Sequence, residues 1–373
     1  MYALKNRENG RFFLFSFFYN HLIICPCCVI IVYNAGKGAK IAMQTLIKNT
    51  QAYRLLKAEA QKGRLSHAYL LLLDDKRNLK SALKTFAKIL FACDDTPRGA
   101  RIAERIEKET FTDCLFFPSA DKKFTVEDAE RLTEECMLRP IEGDLKVFII
   151  SDFADANVPS QNKLLKLLEE PPEGVIFLLG ATTAFPVLST VLSRVSKLEI
   201  PPFTEREVQD ALKRIYTDSP YTDRDFSLCA VAGGGSVGEA QNTLEDGDYR
   251  ALVDEAFALL LSEKSALPML IKKTGETKRK KELLHLLRVI FRDALLQKSD
   301  AFNDSHTLLV VEKERLQKVA HRFTASTLLF AQNELSKAEL QTFFNATFPQ
   351  CLELLIAKIL EKDAENRAFS ALG

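Results

Sequence analysis

The chain has 373 residues, of which 47% are hydrophobic, so it is long enough and apolar enough to form two or three domains with their own cores. Its 51 basic residues are balanced by 50 acidic ones, which excludes the strong overall field typical of many nucleic-acid-binding proteins. Eight cysteines are spread irregularly and do not indicate a disulfide framework.

The first 42 residues differ in character from the rest of the chain. The run from Phe12 to Tyr33 is almost wholly apolar and long enough to span a bilayer, and two arginines precede it. A membrane anchor and a signal peptide are two interpretations of this run. We favour a third, in which the protein starts at Met43 and residues 1–42 are a misassigned extension. The segment Gly36–Lys40 can be encoded by purine-rich codons that resemble a ribosome-binding site.

Residues 43–200 alternate between helical and strand-like patterns. The predicted helices are Gln51–Ala60, Lys80–Ala92, Val126–Met137 and Gln161–Leu168, and the predicted buried strands are Leu65–Leu73, Lys146–Ile150 and Val175–Leu179. Thr125 and Asp128 have the spacing of a helix capping box. Strands separated by helices with short connections predict an α/β domain with a parallel sheet.

Residues 201–373 are predicted to be entirely helical. Pro201 and Pro202 mark the boundary, since consecutive prolines end a strand and stiffen a linker. Residues 201–248 are predicted to form a small helical domain, whose first helix is capped by Thr204 and Glu207. Residues 249–373 carry apolar stripes at helical spacing and are predicted to form a second helical domain.

Three motifs between Leu164 and Val195 follow one another in a characteristic order. Leu164–Pro172 reads Leu-Leu-Lys-Leu-Leu-Glu-Glu-Pro-Pro, and it is followed by Thr182-Thr183 and by Ser193-Arg-Val195. This order and spacing resemble the bacterial DNA polymerase III clamp-loader subunits, which belong to the AAA+ class. The resemblance implies an AAA+-type sheet domain, a small helical lid and a C-terminal helical collar through which the subunits assemble.

The residues that would bind ATP depart from the family pattern. The phosphate loop would fall on Leu73–Ser81, which contains no glycine and has Asp74 and Asp75 where phosphate would lie. Ser151-Asp152 stands in place of Asp-Glu, and Gly235-Ser-Val-Gly-Glu239 in place of Gly-Ser-x-Arg. We therefore expect no bound nucleotide cofactor and no intrinsic ATPase.

Arg194 is the principal candidate site residue. The resemblance implies that it acts in trans as an arginine finger on ATP bound to a neighbouring subunit, with Ser193 as its motif neighbour. Pairing with a surface carboxylate of its own chain is the simpler alternative. Val195 replaces the cysteine of the family motif, which affects local packing and leaves the charge of the arginine unchanged.

Other candidate sites have simpler explanations. Cys93 and Cys114 stand alone where related subunits carry four cysteines, so we expect no zinc and no other metal site. His67 precedes a buried strand, where a structural histidine is the default. Glu169 and Glu170 point about 100° apart on a helix, so they are not expected to act as a catalytic pair.

Together these features predict a non-hydrolysing clamp-loader subunit in the cytoplasm. The implied partners are loader subunits of the gamma/tau and delta type, together with the sliding clamp and primer–template DNA. An ATPase-type gamma/tau subunit is the alternative within the same fold. A membrane-tethered binding protein is the alternative from a different class.

Overall fold

The structure of the chain is a computed structural model, which describes residues 3–5, 12–14, 22–24, 30–32, 35–93, 96–119, 122–217, 219–247, 249–298, 309–343 and 347–370. It divides into two compact units. The first comprises Met1–Leu73, Asn78–Ile200 and Asp210–Tyr221, and the second comprises Asp74–Arg77, Pro201–Gln209 and Thr222–Gly373.

The N-terminal stretch contains two short antiparallel strand pairs. They are formed by β1 (Ala3–Lys5) with β2 (Phe12–Leu14), and by β3 (Leu22–Ile24) with β4 (Ile30–Val32). The remainder of the apolar run up to Tyr33 lies outside the described residues. Of the helices that the structure describes, none is both long and apolar enough to cross a membrane.

Helix α1 (Ala35–Lys48) runs through the predicted start at Met43. Met43 and Ile47 are fully buried on this helix, and Lys40, one turn earlier, lies 2.6 Å from the carboxylate of Glu107. The division of the chain at residue 42 remains a prediction, and it falls inside a helix.

Five parallel strands form the sheet of the first unit, in the order β6-β7-β8-β5-β9. The strands are β5 (Ala68–Leu73), β6 (Cys114–Phe117), β7 (Lys146–Ile150), β8 (Val175–Ala181) and β9 (Ser196–Ile200). Because parallel neighbours cannot be joined by a hairpin, the connections are crossovers that contain helices. Strands β7 and β8 are buried along their whole length, which explains their nearly unbroken apolar sequences.

The helices along this part of the chain begin and end close to the predicted limits. They are α2 (Gln51–Gln61), α3 (Lys76–Leu90), α4 (Pro97–Glu107), α5 (Val126–Cys136), α6 (Val158–Glu169), α7 (Ser189–Leu192) and α8 (Glu205–Ile215), with a 3₁₀ turn at Phe153–Asp155. The capping box of Thr125 and Asp128 is confirmed. The largest difference is at α3, which starts four residues before the predicted Lys80 and ends two residues before the predicted Ala92.

The core beside the sheet is built from aromatic and aliphatic side chains of the central strands and their helices. The rings of Phe148 on β7 and Phe177 on β8 stack with centroids 5.8 Å apart. The fully buried Asp113 accepts backbone N–H groups of Ile141 at 2.7 Å and Glu142 at 2.8 Å. This carboxylate therefore replaces water for two donors of the loop that leads into β7.

After Ile200 the described chain contains helices and no strands, as predicted. The helices that follow α8 are α9 (Asp223–Ala232), α10 (Val237–Asp246), α11 (Tyr249–Leu261), α12 (Leu267–Gly275), α13 (Lys280–Lys298), α14 (Lys313–Arg322), α15 (Ala325–Phe343) and α16 (Phe348–Ser370), with a 3₁₀ turn at Val310–Glu312. The α/β fold class with a helical C-terminal part is thus confirmed. The division into a lid of 201–248 and a collar of 249–373 remains a prediction.

Helix α13 occupies the centre of the second unit. It contributes fully buried residues such as Leu287 and Phe291, and the ring of Phe291 meets Phe323 edge-on at 6.3 Å. Its buried Asp293 accepts the backbone N–H of Leu309 at 2.8 Å and pairs with Arg292 at 2.6 Å. The charge is thus compensated, as a buried carboxylate requires.

Candidate functional site

The connection between β5 and α3 is the segment where the resemblance expects a phosphate loop. Strand β5 ends at Leu73 and α3 begins at Lys76, so only Asp74 and Asp75 separate them. A loop that wraps phosphate needs several glycines and a row of free backbone N–H groups. This connection has neither the length nor the residues to form such a cradle.

The side chain of Asp75 is directed to the N-terminus of α10. Asp75 is 2% exposed, and its Oδ2 accepts the backbone N–H of Gly238 at 2.8 Å. A helix N-terminus offers unpaired N–H groups and positive potential, which suits either a carboxylate or a phosphate. Here a carboxylate of the chain itself takes up one of these donors.

Gly238 stands at the position where the family motif has an arginine. A Cβ added to it would lie 2.3 Å from Oδ1 of Asp75 and 2.7 Å from Cβ of Arg77. Both distances are below van der Waals contact, so any side chain at this position would collide with the segment after β5. The loss of the arginine and the position of Asp75 are therefore two aspects of one packing arrangement.

Arg77 adds a second connection to α10. Its Nη1 and Nη2 each donate to one carboxylate oxygen of Glu245 at 2.8 Å, and Nη1 also donates to Oδ1 of Asn242 at 2.8 Å. A planar guanidinium matches a carboxylate in this two-pronged geometry. This contact could not be predicted from the sequence, because Arg77 and Glu245 are separated by 168 positions.

The rest of the Gly-Ser motif has a structural role. Gly235 has a φ of +93°, and a Cβ there would lie 2.5 Å from Pro202. Ser236 is the N-cap of α10, and its Oγ accepts the N–H of Glu239 at 3.2 Å. These contacts explain why glycine and serine stand here without reference to a nucleotide.

Two of the motif segments that carry the resemblance follow adjacent strands of the first unit. Ser151 and Asp152 come directly after β7, and Thr182 and Thr183 come at the end of β8. Asp152 has a φ of +53°, in the left-handed region that a residue with a side chain seldom adopts. The carboxyl edge of a parallel sheet is where ligand sites gather in such folds.

Arg194 lies in the short segment between α7 and β9. Its Nη1 donates to the carbonyl oxygen of Thr190 at 2.7 Å and to Oγ of Ser193 at 3.0 Å. Its Nη2 lies 2.6 Å from Oε1 of Glu169, the last residue of α6. The simpler alternative of an internal ion pair is therefore realised in this chain. The side chains remain partly exposed, at 34% for Arg194 and 49% for Glu169.

An open cleft of about 640 Å³ surrounds this pair. It is lined by His67, Leu168, Glu169, Ser193, Arg194, Val195 and Ser196. His67 contributes a buried Nε2 that has no hydrogen-bond partner among the described residues. Val195 packs against the core beside the sheet, so the residue that replaces the family cysteine anchors the segment while the guanidinium remains accessible.

Glu169 has a role in the site that its own sequence motif does not predict. In the structure it is the ionic partner of Arg194. Its neighbour Glu170 makes no ion pair with any residue that the structure describes. The sequence indicates a relation between Glu169 and Arg194 only in that both belong to the motifs between Leu164 and Val195.

Among the residues that the structure describes, no group of three or more potential metal ligands lies together. Cys114 is buried on β6 and Cys93 is partly buried, and neither takes part in a disulfide bond among the described residues. Burial raises the pKa of the Cys114 thiol well above its ordinary value. Since zinc binds the thiolate, this position disfavours a zinc ligand.

Comparison with known proteins finds similarity to DNA polymerase III subunits. Residues 48–204 match the sequence model of the family described as DNA polymerase III, delta subunit. This part of the chain is therefore a domain of that type. It covers β5 to β9 and the segment of Arg194.

Curated relatives are DNA polymerase III subunits that contain more sequence than the matched part. The tau/gamma subunit of Haemophilus influenzae is 31% identical over 203 residues, which are 53% of this chain and 28% of that protein. The gamma subunit of Buchnera aphidicola is 29% identical over 189 residues, 49% of this chain and 52% of that protein. The tau subunit of Escherichia coli is 29% identical over 209 residues, which are 53% of this chain and 32% of that protein. The match thus spans about a quarter to a half of these relatives.

A solved structure of a DNA polymerase III gamma subunit-related protein from Thermotoga maritima is similar to 84% of this chain and 100% of that chain. The TM-score is 0.40, at 15% sequence identity.

Proposed function

We propose that this chain is a non-hydrolysing subunit of the replicative clamp loader, of the delta-prime type. In this role it supports the ATP-driven loading of the sliding clamp onto primed DNA by neighbouring subunits of the gamma/tau type. Its partners are these subunits and a delta-type subunit, with the clamp and primer–template DNA as further contacts. It acts in the cytoplasm, where bacterial DNA is replicated.

The contact between Asp75 and Gly238 carries the proposal. A carboxylate that already binds the N–H of Gly238 at 2.8 Å leaves that donor unavailable to a phosphate oxygen. A phosphate brought to the same place would also be repelled, by about 4 kcal/mol per pair of unit charges at 4 Å and an effective dielectric constant of 20. With only Asp74 and Asp75 between β5 and α3, no alternative cradle is at hand.

We also propose that Arg194 acts in trans as an arginine finger on ATP bound to a neighbouring subunit. It lies on the surface in an open cleft, with a guanidinium that is held by Thr190, Ser193 and Glu169. When water attacks the γ-phosphorus of ATP, the bond to the bridging oxygen breaks and ADP leaves with the electron pair. A guanidinium supplied by the adjacent subunit stabilises the charge on the transferred phosphoryl group and on the leaving oxygen.

The alternative is an ATPase-type gamma/tau subunit, and the names of the relatives favour it. The two candidates differ in whether the chain binds Mg-ATP. The packing of Asp75 and Arg77 against α10 favours the non-hydrolysing type, because an ATPase would need this space for phosphates.

Calorimetric titration of the full chain with Mg-ATP tests the proposal. We expect no binding up to about 1 mM, whereas a gamma/tau subunit titrated in parallel should bind. A dissociation constant in the low micromolar range for this chain would overturn the proposal in favour of the ATPase type. Reconstitution of a loader with and without the chain then measures its contribution to clamp loading.

A further inference from the structure

We infer that Glu169 competes with the γ-phosphate for the guanidinium of Arg194, so that Arg194 must exchange one anion for the other when the neighbouring subunit binds ATP. This inference rests on the proposed function, since it concerns how the proposed arginine finger is regulated. It assigns a role to a glutamate that lies outside the reacting groups and acts only through Arg194.

The guanidinium of Arg194 has a limited number of N–H donors. Arginine has five N–H groups, two on each terminal nitrogen and one on Nε. The two hydrogens of Nη1 are taken up by the carbonyl oxygen of Thr190 at 2.7 Å and Oγ of Ser193 at 3.0 Å. A bidentate grip on phosphate therefore needs Nε together with Nη2.

Nη2 of Arg194 is already paired with a carboxylate. Oε1 of Glu169 lies 2.6 Å from this nitrogen. A phosphoryl oxygen that approaches Nη2 must either displace the carboxylate or remain beside it, and two anions at such a distance repel each other. Glu169 thus lowers the affinity of Arg194 for phosphate in any state in which the pair persists.

The exchange of one anion for the other at Arg194 is feasible. Both side chains are partly exposed and open onto the cleft of about 640 Å³, so the carboxylate can return to water when it leaves Arg194. Ion pairs of this exposure contribute little to stability. In contrast, Thr190 on α7 and Ser193 directly after this helix are close to Arg194 along the chain and can hold Nη1 throughout the exchange. The arginine is thereby kept in position while its charge is made available.

The consequence is a subunit whose Arg194 is neutralised until ATP is present next to it. The neighbouring nucleotide supplies the stronger anion, and Glu169 then turns to solvent. Removal of the Glu169 charge should therefore increase the contribution of Arg194 to ATP hydrolysis, whereas a glutamate that merely orients Arg194 would produce the opposite change.

The experiment uses reconstituted loaders that differ only in this subunit. Glu169→Gln keeps the length and an acceptor oxygen but removes the charge, and Glu170→Gln is the matched control because it removes the same charge one residue later without contact to Arg194. The quantity compared is the Arg194-dependent part of kcat/KM for ATP. This part is the difference in kcat/KM between a loader that contains Arg194 and the same loader with Arg194→Ala. Circular dichroism and gel filtration establish that each variant folds and assembles.

We expect Glu169→Gln to raise the Arg194-dependent part of kcat/KM by about 1.4- to 5-fold. This is the change in equilibrium constant that corresponds to the free energy of an exposed ion pair. Glu170→Gln should leave it unchanged. In the Arg194→Ala background, Glu169→Gln should have no effect, because the glutamate acts only through the arginine. The gain should diminish at high ionic strength, where the competing pair is screened.

The outcomes separate the two proposals. If Arg194→Ala lowers turnover while Glu169→Gln lowers it or leaves it unchanged, the competition is refuted and the arginine finger stands. An effect of Glu169→Gln that persists without Arg194 would refute the competition as well. If Arg194→Ala changes nothing, the arginine-finger role fails, and the inference about Glu169 fails with it.

Discussion

Replacement of Gly238 by alanine tests the packing on which the assignment of a closed phosphate site depends. The new Cβ would lie 2.3 Å from Oδ1 of Asp75 and 2.7 Å from Cβ of Arg77. Asp75 is buried, so its carboxylate can move only by giving up its hydrogen bond with the N–H of Gly238. The substitution therefore combines overpacking with the loss of a charge-assisted hydrogen bond.

The magnitude follows from these two terms and one that opposes them. Overpacking costs about 1–3 kcal/mol, and a hydrogen bond to a charged group contributes about 1.5–3 kcal/mol. Alanine gains about 1 kcal/mol over glycine within a helix. We expect a net loss of about 1.5–5 kcal/mol in the free energy of unfolding.

Urea unfolding of the purified chain, followed by circular dichroism, measures the change. Gly143→Ala is the control, since an added Cβ there meets nothing within 4 Å, and it should change stability by no more than about 0.5 kcal/mol. The double variant Asp75→Ala/Gly238→Ala should lose less than the sum of the single variants, because the first removes the colliding oxygen. A Gly238→Ala chain as stable as the unmodified protein would refute the packing argument.

Three further predictions concern the first unit. Arg194→Ala should leave the chain folded and incorporated but reduce the clamp- and DNA-stimulated ATPase of a reconstituted loader. Arg194→Lys should restore this activity poorly, because lysine lacks the planar guanidinium. Unchanged ATPase and clamp loading with Arg194→Ala would leave only a scaffold role for the chain. Asp113→Ala should destabilise the chain by about 2–5 kcal/mol, because two N–H groups lose their acceptor, and urea unfolding beside the exposed control Asp144→Ala measures this. Burial raises the pKa of Glu107, but the hydrogen bonds of Lys40 and Lys88 lower it more, so the folded pKa lies below the ordinary 4.5. The stabilisation by the Glu107 carboxylate is thus present above pH 4.5 and lost as the pH falls through the folded pKa. Thermal unfolding should therefore show that Glu107→Gln is about 1 kcal/mol less stable than the unmodified chain at neutral pH, and that this difference disappears in acid.

The order of strands and helices could be predicted from the sequence because it depends on local patterns. Buried strands such as Val175–Ala181 are almost wholly apolar, since both faces of a parallel sheet are covered. Helix limits near Thr125 follow from side chains that cap the next turn, a contact within three residues. The start of α3 at Lys76 differs from the predicted start at Lys80, because residues 76–79 fall within the phosphate loop of the family pattern.

The absence of glycines after Leu73 and the missing arginine at Gly238 were visible in the sequence as separate departures from a motif. Only the tertiary structure joins them, because Asp75 and Gly238 are 163 positions apart and meet through the fold. The same holds for Arg194 and Glu169, whose contact requires the end of α6 to lie beside the segment before β9. Local sequence thus determined which elements form and which charges are available. The packing of those elements decided which charges meet, since an ion pair or a hydrogen bond depends on distances that no periodicity encodes.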